Sequence, residues 1–269
     1  MFIELHMIQN FAPSNLNRDD TGNPKDCEFG GARRARISSQ CLNRAIRNAP
    51  IFAETTSVPN ALRTKRFGER LVSMLTTAGK SRDLAEVVVA DFLTAFASKL
   101  EKDKALTVVL LYFSQNELQA MADTLCENWA TLIEDNRVNA LKPIVRDLVK
   151  QFQSRSSAPD IALFGRMLAE KPELNIDAAC QVAHALSTHR VTMEMDFYTA
   201  VDDLRPEDTA GSAMMGFTAY NSACFYRYAR LDVDQLLANL NGDKALACRT
   251  VEAFLRASEA AVPTGKKNS

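Results

Sequence analysis

Phe2-Ile-Glu-Leu-His-Met-Ile-Gln-Asn-Phe11 sets Ile3, Leu5 and Met7 on one side of the chain and Glu4, His6 and Ile8 on the other. Alternation of period two marks a strand with one apolar and one mixed face. A long loop follows, punctuated by Pro13, Gly22, Pro24, Gly30 and Gly31. Loops of that length are usually functional or disordered rather than plain connectors. Ser38 or Ser39 then caps a short helix to about Asn48, with Leu42, Ala45 and Ile46 on its buried face, and Pro50 stops it. Beyond about residue 60, Gly and Pro become rare, and apolar periodicity predicts helices at about 66–78, 82–102, 115–135, 139–153 and 175–186. Ser114 and Glu117 form a capping box for the third of these, and Thr107 to Phe113 fits a short buried strand. Alternation returns in Arg190 to Thr199 and Ala223 to Arg230, and a last helix is predicted at about 244–260. Without the helical block the order is strand, helix, strand, strand, helix. That is an α+β, ferredoxin-like βαββαβ pattern lacking its closing strand. The closing strand normally pairs with the first, so residues 2–11 are expected to show an unpaired edge.

Composition narrows the function classes. The 269 residues are 46% hydrophobic and 24% charged, which excludes a disordered, collagenous or coiled-coil chain. The longest apolar run, Val108 to Phe113, is far short of a membrane span. The N-terminus has no basic region followed by an apolar segment, so no secretory signal is expected. Six cysteines are scattered without a Cys-x-x-Cys pair, as expected of free thiols in a cytoplasmic protein. The net charge of −1 hides a local excess: residues 18–53 carry seven cations against four carboxylates, a net +3. Two readings fit such a strip. It is a track for a polyanion, or a solvated and partly salt-bridged loop.

Four collinear blocks carry a family resemblance. Leu16-Asn-Arg-Asp-Asp20, Lys25-Asp26, Phe29-Gly-Gly31, Arg33-Arg-Ala-Arg-Ile-Ser-Ser-Gln40, Leu42 and Arg44-Ala45 form the first. Asp160-Ile-Ala-Leu-Phe-Gly-Arg-Met167 is the second, Ala183-His-Ala-Leu-Ser-Thr-His189 with Phe197-Tyr-Thr-Ala-Val-Asp-Asp203 the third, and Phe225-Tyr-Arg-Tyr-Ala229 the fourth. Together they resemble the CasC family, the backbone subunits of Cascade, the type I-E CRISPR surveillance complex. The resemblance implies an RRM-like palm with a large helical fingers insertion and a β-hairpin thumb. On that plan residues 1–58 form the first part of the palm, 59–187 the fingers, 188–230 the palm strands with the thumb, and 231–269 the second palm helix and a shortened end. Family members continue well past a segment like Val262-Pro-Thr-Gly-Lys-Lys267, so the resemblance implies C-terminal shortening.

The implied function is non-catalytic. Copies stack head to tail along the CRISPR RNA guide, stretch it, flip out one nucleotide at each regular step, and support its pairing with target DNA. Partners are then the guide, target DNA, further copies and other Cascade subunits, with no membrane and no cofactor. The candidate phosphate contacts are Arg18, Lys25, Arg34, Ser38, Gln40, Arg44 and Arg47. Ala32 and Asn43 stand where close relatives often have lysine, which implies a shallower salt dependence. The candidate wedge residues are Phe197, Tyr198, Thr199 and Val201 on the thumb and Met167 on the fingers. Ordinary core packing is the competing reading for Met167 and Phe197.

Lys142, Arg146 and Lys150 follow one another at i, i+4, i+8 along the helix at about 139–153. They are either contacts to duplex DNA phosphates or the solvated face of an amphipathic helix. Only three histidines occur, and His184 and His189 are expected to straddle a helix end. No cysteine cluster completes a zinc site. Asp19 and Asp20 are read as orienting arginines through salt bridges. The alternative function is an RNA-processing endonuclease on the same scaffold, working through Asp20 or His6.

Overall fold

The computed structural model describes residues 1–97, 99–101, 106–153, 155–199 and 215–266. Strand β1 (Phe2–Ser14) leads to a hairpin of β2 (Asp26–Phe29) and β3 (Ala32–Ile37), then helices α1 (Ser39–Asn48) and α2 (Pro50–Thr56). Next come β4 (Leu62–Thr64), α3 (Phe67–Thr77), α4 (Arg82–Phe96), β5 (Leu111–Phe113), α5 (Gln115–Glu127), α6 (Trp129–Leu132), α7 (Arg137–Phe152) and α8 (Pro159–Phe164). Strands β6 (Cys180–Val182), β7 (Ala185–Ser187), β8 (Glu194–Thr199) and β9 (Met215–Asp232) precede α9 (Val233–Asn239) and α10 (Lys244–Ala260). The chain is an α+β fold and divides into two compact units. A helical unit holds Met1, Ala53–Cys180 and Leu231–Ala253, and a sheet unit holds Phe2–Phe52, Gln181–Arg230 and Phe254–Ser269. Among the described residues no helix is long and apolar enough to cross a membrane.

In the helical unit the apolar stripes of α3, α4, α5 and α7 face one another. Leu71 and Leu75, Val88 and Phe92, Leu118 and Met121, and Leu141 and Leu148 meet in one core, closed by Phe113 and Phe152. The spacings are i+3, i+4 and i+7, which put side chains on one helix face. Ser114 caps α5 by accepting from the Glu117 amide at 3.0 Å, and Glu117 accepts from the Ser114 amide at 2.7 Å. The expected capping box is present.

The sheet unit has the strand order β1-β9-β7-β3-β2, with β6 and β8 also pairing β9. Ala35, Ile37, Leu42, Ala185, Ala223 and Phe225 form the core on the α1 side. By alternation, Arg34, Arg36, Tyr226 and Tyr228 stand on the opposite face. Among the described residues no strand covers the outer edge of β1.

Four local expectations need correction. Residues 175–186 are not a helix: β6 and β7 pair into the sheet there, and Ala183 N–H donates to the Tyr228 carbonyl at 3.0 Å. Helix propensity in Asp177-Ala-Ala-Cys180 loses to the ladder that β9 offers. The supposed loop before α1 contains the β2–β3 hairpin, with Gly30 and Gly31 at φ 62° and 72° in a two-residue turn. The predicted helix at 82–102 ends at Phe96, and that at 115–135 is interrupted at Asn128. Pro50 ends α1 as expected but also opens α2, where its missing N–H costs nothing.

Candidate nucleic-acid interface

In the sheet unit the basic strip resolves into two places. Ser38 is buried, caps α1 by accepting from the Cys41 amide at 3.3 Å, and gives its own amide to Asn17 Oδ1 at 2.9 Å. Ser38 therefore acts chiefly by fixing the start of α1, whose first-turn amides and dipole favour an anion. Gln40 and Arg44 are exposed on that helix and Arg47 is half-buried in its last turn. Burial pushes the Cys41 thiol up, against the pull of the Lys25 and Arg44 charges. Lys25 is tied to the start of α1 through Asn17, whose carbonyl takes the Lys25 amide at 2.8 Å and whose Oδ1 takes the Ser38 amide, while Arg44 lies on the helix itself. Arg18 is exposed at the head of the loop, bridged to Pro24.

Arg34 belongs elsewhere. Its guanidinium bonds the carbonyls of Phe29 at 3.0 Å and Ser187 at 2.8 Å on the open face of the sheet, away from α1. Arg33 pairs with Asp26 at 2.6 Å. Asp19 does not orient an arginine as expected. It accepts from the Thr21 hydroxyl and from the Thr21 and Asn23 amides, all within 2.9 Å. Those bonds, the Thr21 hydroxyl first, hold its carboxyl below the usual range. Asp19 is the hub of the turn that returns the chain to Lys25. His184 lies next to Arg36 at 3.2 Å, and His189 Nδ1 is 2.8 Å from the Arg190 carbonyl oxygen, so neither sits at a helix end. Among the described residues no group of three His, Cys, Asp or Glu could hold a metal.

The hairpin β8–β9 projects apolar side chains into solvent. Phe197 lies opposite Phe217, their ring centres 5.5 Å apart, and they are 51% and 71% exposed. Core packing is therefore the wrong reading of Phe197. Met195 joins them two residues back, also exposed. Tyr198 faces the other side and covers Gly216, where an added Cβ would fall 2.3 Å from the ring. Lys266 approaches Tyr198 from 5.9 Å, and its ammonium bonds the Tyr220 hydroxyl at 3.1 Å. Thr199 is the last described residue of β8, and Val201 lies outside the described residues. Phe217 lies outside the predicted strand Ala223 to Arg230, which in the structure begins at Met215. The Phe217, Ala219, Asn221 alternation was the available signal.

In the helical unit Met167 is 82% exposed, which again excludes core packing. Its support is rigid. The buried Asp160 accepts from Tyr112 Oη at 2.7 Å and from the Ala61 amide at 3.2 Å, pinning α8. Gly165 then takes φ 76° and ψ 169°, a region open essentially to glycine alone. An added Cβ there would sit 2.7 Å from the Ile176 carbonyl oxygen. Arg166 is buried against Glu117 at 2.7 Å, bonds the Leu174 carbonyl at 2.8 Å and covers the Phe113 ring at 4.7 Å. With Arg166 fixed inward, its neighbour Met167 is held outward. Gly165→Ala is expected to cost about 1–3 kcal/mol, read as a lowered thermal midpoint. An unchanged midpoint would show that the segment tolerates a Cβ. Lys142, Arg146 and Lys150 are all exposed along α7, as expected. Arg146 bonds Asp147 at 3.1 Å, which offsets part of the line's charge.

Comparison with known proteins adds to this geometry. A family model for CT1975-like proteins matches residues 3–269. A chain of a pre-nicking CRISPR RNA-guided surveillance complex is 34% identical, with a TM-score of 0.81 over 100% of this chain and 74% of that one. A chain from another CRISPR RNA-guided surveillance complex is 30% identical, with a TM-score of 0.71 over 98% and 73%. The search of curated proteins gives no match.

Proposed function

Since the chain belongs to the CT1975-like family, we propose that it is a backbone subunit of a CRISPR surveillance complex that binds the RNA guide. One observation carries the reading. Lys25, tied through Asn17 to the Ser38 amide, and Arg44 on α1 belong to a chain similar throughout its length to a subunit of an RNA-guided complex. Lys25, Arg44, Gln40 and Arg18 would hold phosphates, Arg47 would add charge beyond them, and the N-terminus of α1 would contribute its amides. Contacts to phosphates carry no sequence information, as suits a protein that must accept any guide sequence.

The exposed Phe197–Phe217 pair and Met167 are the wedges. Each has apolar surface held in water, Met167 beside the fixed Arg166 and the two rings on paired strands, and such surface gains most by entering a stacked strand. Insertion between bases unstacks them, and repeated along a row of copies it would kink the guide at regular steps. In this reading the palm is RRM-like, the complex is of type I-E, and copies stack head to tail in the cytoplasm. The α7 line of Lys142, Arg146 and Lys150 meets the phosphates of target DNA. The subunit does not cut RNA.

The test is nuclease footprinting of a guide RNA saturated with the protein, with Mg²⁺ present. Evenly spaced reactive nucleotides on otherwise protected, intact RNA are expected. Phe197→Ala with Phe217→Ala should erase the spacing while the RNA stays protected. Uniform reactivity in the wild type would refute the kinking. Cleavage that vanishes on Asp20→Ala or His6→Ala would establish the endonuclease instead.

A further inference from the structure

The open face of the sheet unit carries a row of side chains that the proposed guide track does not use. Arg36 on β3 lies opposite Leu186 on β7, and Leu186 lies opposite Tyr226 on β9. His6 on β1 completes the row, its Nδ1 2.7 Å from the Tyr226 hydroxyl. A second ring, Tyr228, stands 5.0 Å from His6 and donates to Glu4 at 2.9 Å. Arg34 enters the same groove from β3, and Tyr226 is 42% exposed. Four residues further along β9, Arg230 covers the exposed Phe2 ring at 3.8 Å.

We infer that this face binds a single strand of RNA, whose bases stack on Tyr226, Tyr228 and His6 while Arg34, Arg36 and Arg230 meet its phosphates. Three observations favour that occupant. The rings sit on neighbouring strands, His6 on the edge strand β1 and Tyr226 and Tyr228 two residues apart on β9, so they share one face of the sheet where successive bases can stack. The three arginines hydrogen-bond or stack on neutral groups: the carbonyls of Phe29, Ser187 and Asp26, the His184 ring and the Phe2 ring. Their charge is therefore available to a polyanion, against the one carboxylate of Glu4. Glu4 Oε1 takes the Tyr228 hydroxyl and Oε2 stands 3.6 Å from His6 Nε2, yet a carboxylate has further lone pairs, and a ribose 2′-hydroxyl can donate to them where deoxyribose cannot. The surface lies on the opposite side of the sheet from α1, so a strand here is additional to one held by Lys25 and Arg44.

The experiment uses the full chain, with Lys25→Gln and Arg44→Gln added to the reference and to every sheet-face variant so that the other proposed site does not mask the result, and two fluorescent octamers, oligo-uridine and oligo-deoxythymidine, in anisotropy titrations. Tyr226→Ala should weaken oligo-uridine binding at least about fivefold, the lower bound for losing one base stack. Tyr226→Phe, which keeps the ring, should bind like the reference. His6→Ala, on the edge strand, repeats the test should Tyr226→Ala fail to fold by circular dichroism. Photocrosslinked bromouridine should mark the peptide 225–230. Reference affinity in both alanine variants, crosslinks confined to 38–48, or deoxythymidine bound as tightly as uridine each overturn the assignment. So does a Tyr226→Ala defect confined to association between copies, which would make the face a protein interface. Arg44→Ala in the otherwise wild-type chain separates the two ideas. Its failure to weaken binding would refute the guide track and leave the sheet face standing.

Discussion

Glu117→Ala is expected to destabilise the helical unit by about 3–5 kcal/mol, the cost of leaving one member of a buried ion pair uncompensated. The Arg166 side chain is fully buried and Glu117 is only 5% exposed. Removing the carboxylate strands the guanidinium charge where water cannot reach it, with only the Leu174 and Phe152 carbonyls and the Phe113 ring around it. The same substitution deletes half of the capping box, since Glu117 Oε2 takes the Ser114 amide while Oε1 takes Arg166. Glu117→Gln keeps the cap geometry and loses the charge, so it should fall between wild type and Glu117→Ala. The chain has a single tryptophan, Trp129, packed against the helical core. Its fluorescence in a urea titration therefore follows that unit and not the sheet. A Glu117→Ala midpoint corresponding to less than about 1 kcal/mol would mean that Arg166 relaxes to solvent. Met167 would then have no fixed base.

What the sequence made legible follows from which forces are local. β1 and the four long amphipathic helices announce themselves because burial on one face imposes a period, and the Ser114–Glu117 cap is readable because its partners are three residues apart. The β2–β3 hairpin is also written locally, in Gly30-Gly31 between extended residues, but the same pair is equally a loop signal. The strands β6 and β7 were not legible, since three-residue segments exist only through the ladder their neighbours provide. The site divides in the same way. Sequence identifies Arg34 and Arg44 as cations of one strip, but pleat and helix packing send them to opposite faces of the sheet. The exposure of Met167 depends on the inward commitment of Arg166 to Glu117, 49 residues away.

Replacing Lys25 and Arg44 together by glutamine should flatten the salt dependence of single-stranded RNA binding. Each phosphate contact on a single strand contributes about 0.7 to the slope of log K against log salt, through release of condensed counterions. Losing two contacts should lower the slope by about 1.4, so the affinity lost between 50 and 200 mM salt shrinks by about sevenfold. Lys25 and Arg44 come from separate segments, the first tied through Asn17 to the Ser38 amide at the start of α1 and the second on that helix. Neutral substitutions that remove rings release no counterions, so Tyr226→Ala or Phe197→Ala should shift the line without changing its slope. Lys142→Gln, Arg146→Gln and Lys150→Gln belong to the helical unit, and their effect is expected on duplex DNA alone. The slope therefore assigns contacts that affinity cannot, because any unfolded or misassembled variant also binds weakly but has no reason to lose whole phosphates. Should the Lys25 and Arg44 double variant keep the wild-type slope, those cations would be solvated charges of the loop, and the start of α1 would hold no strand.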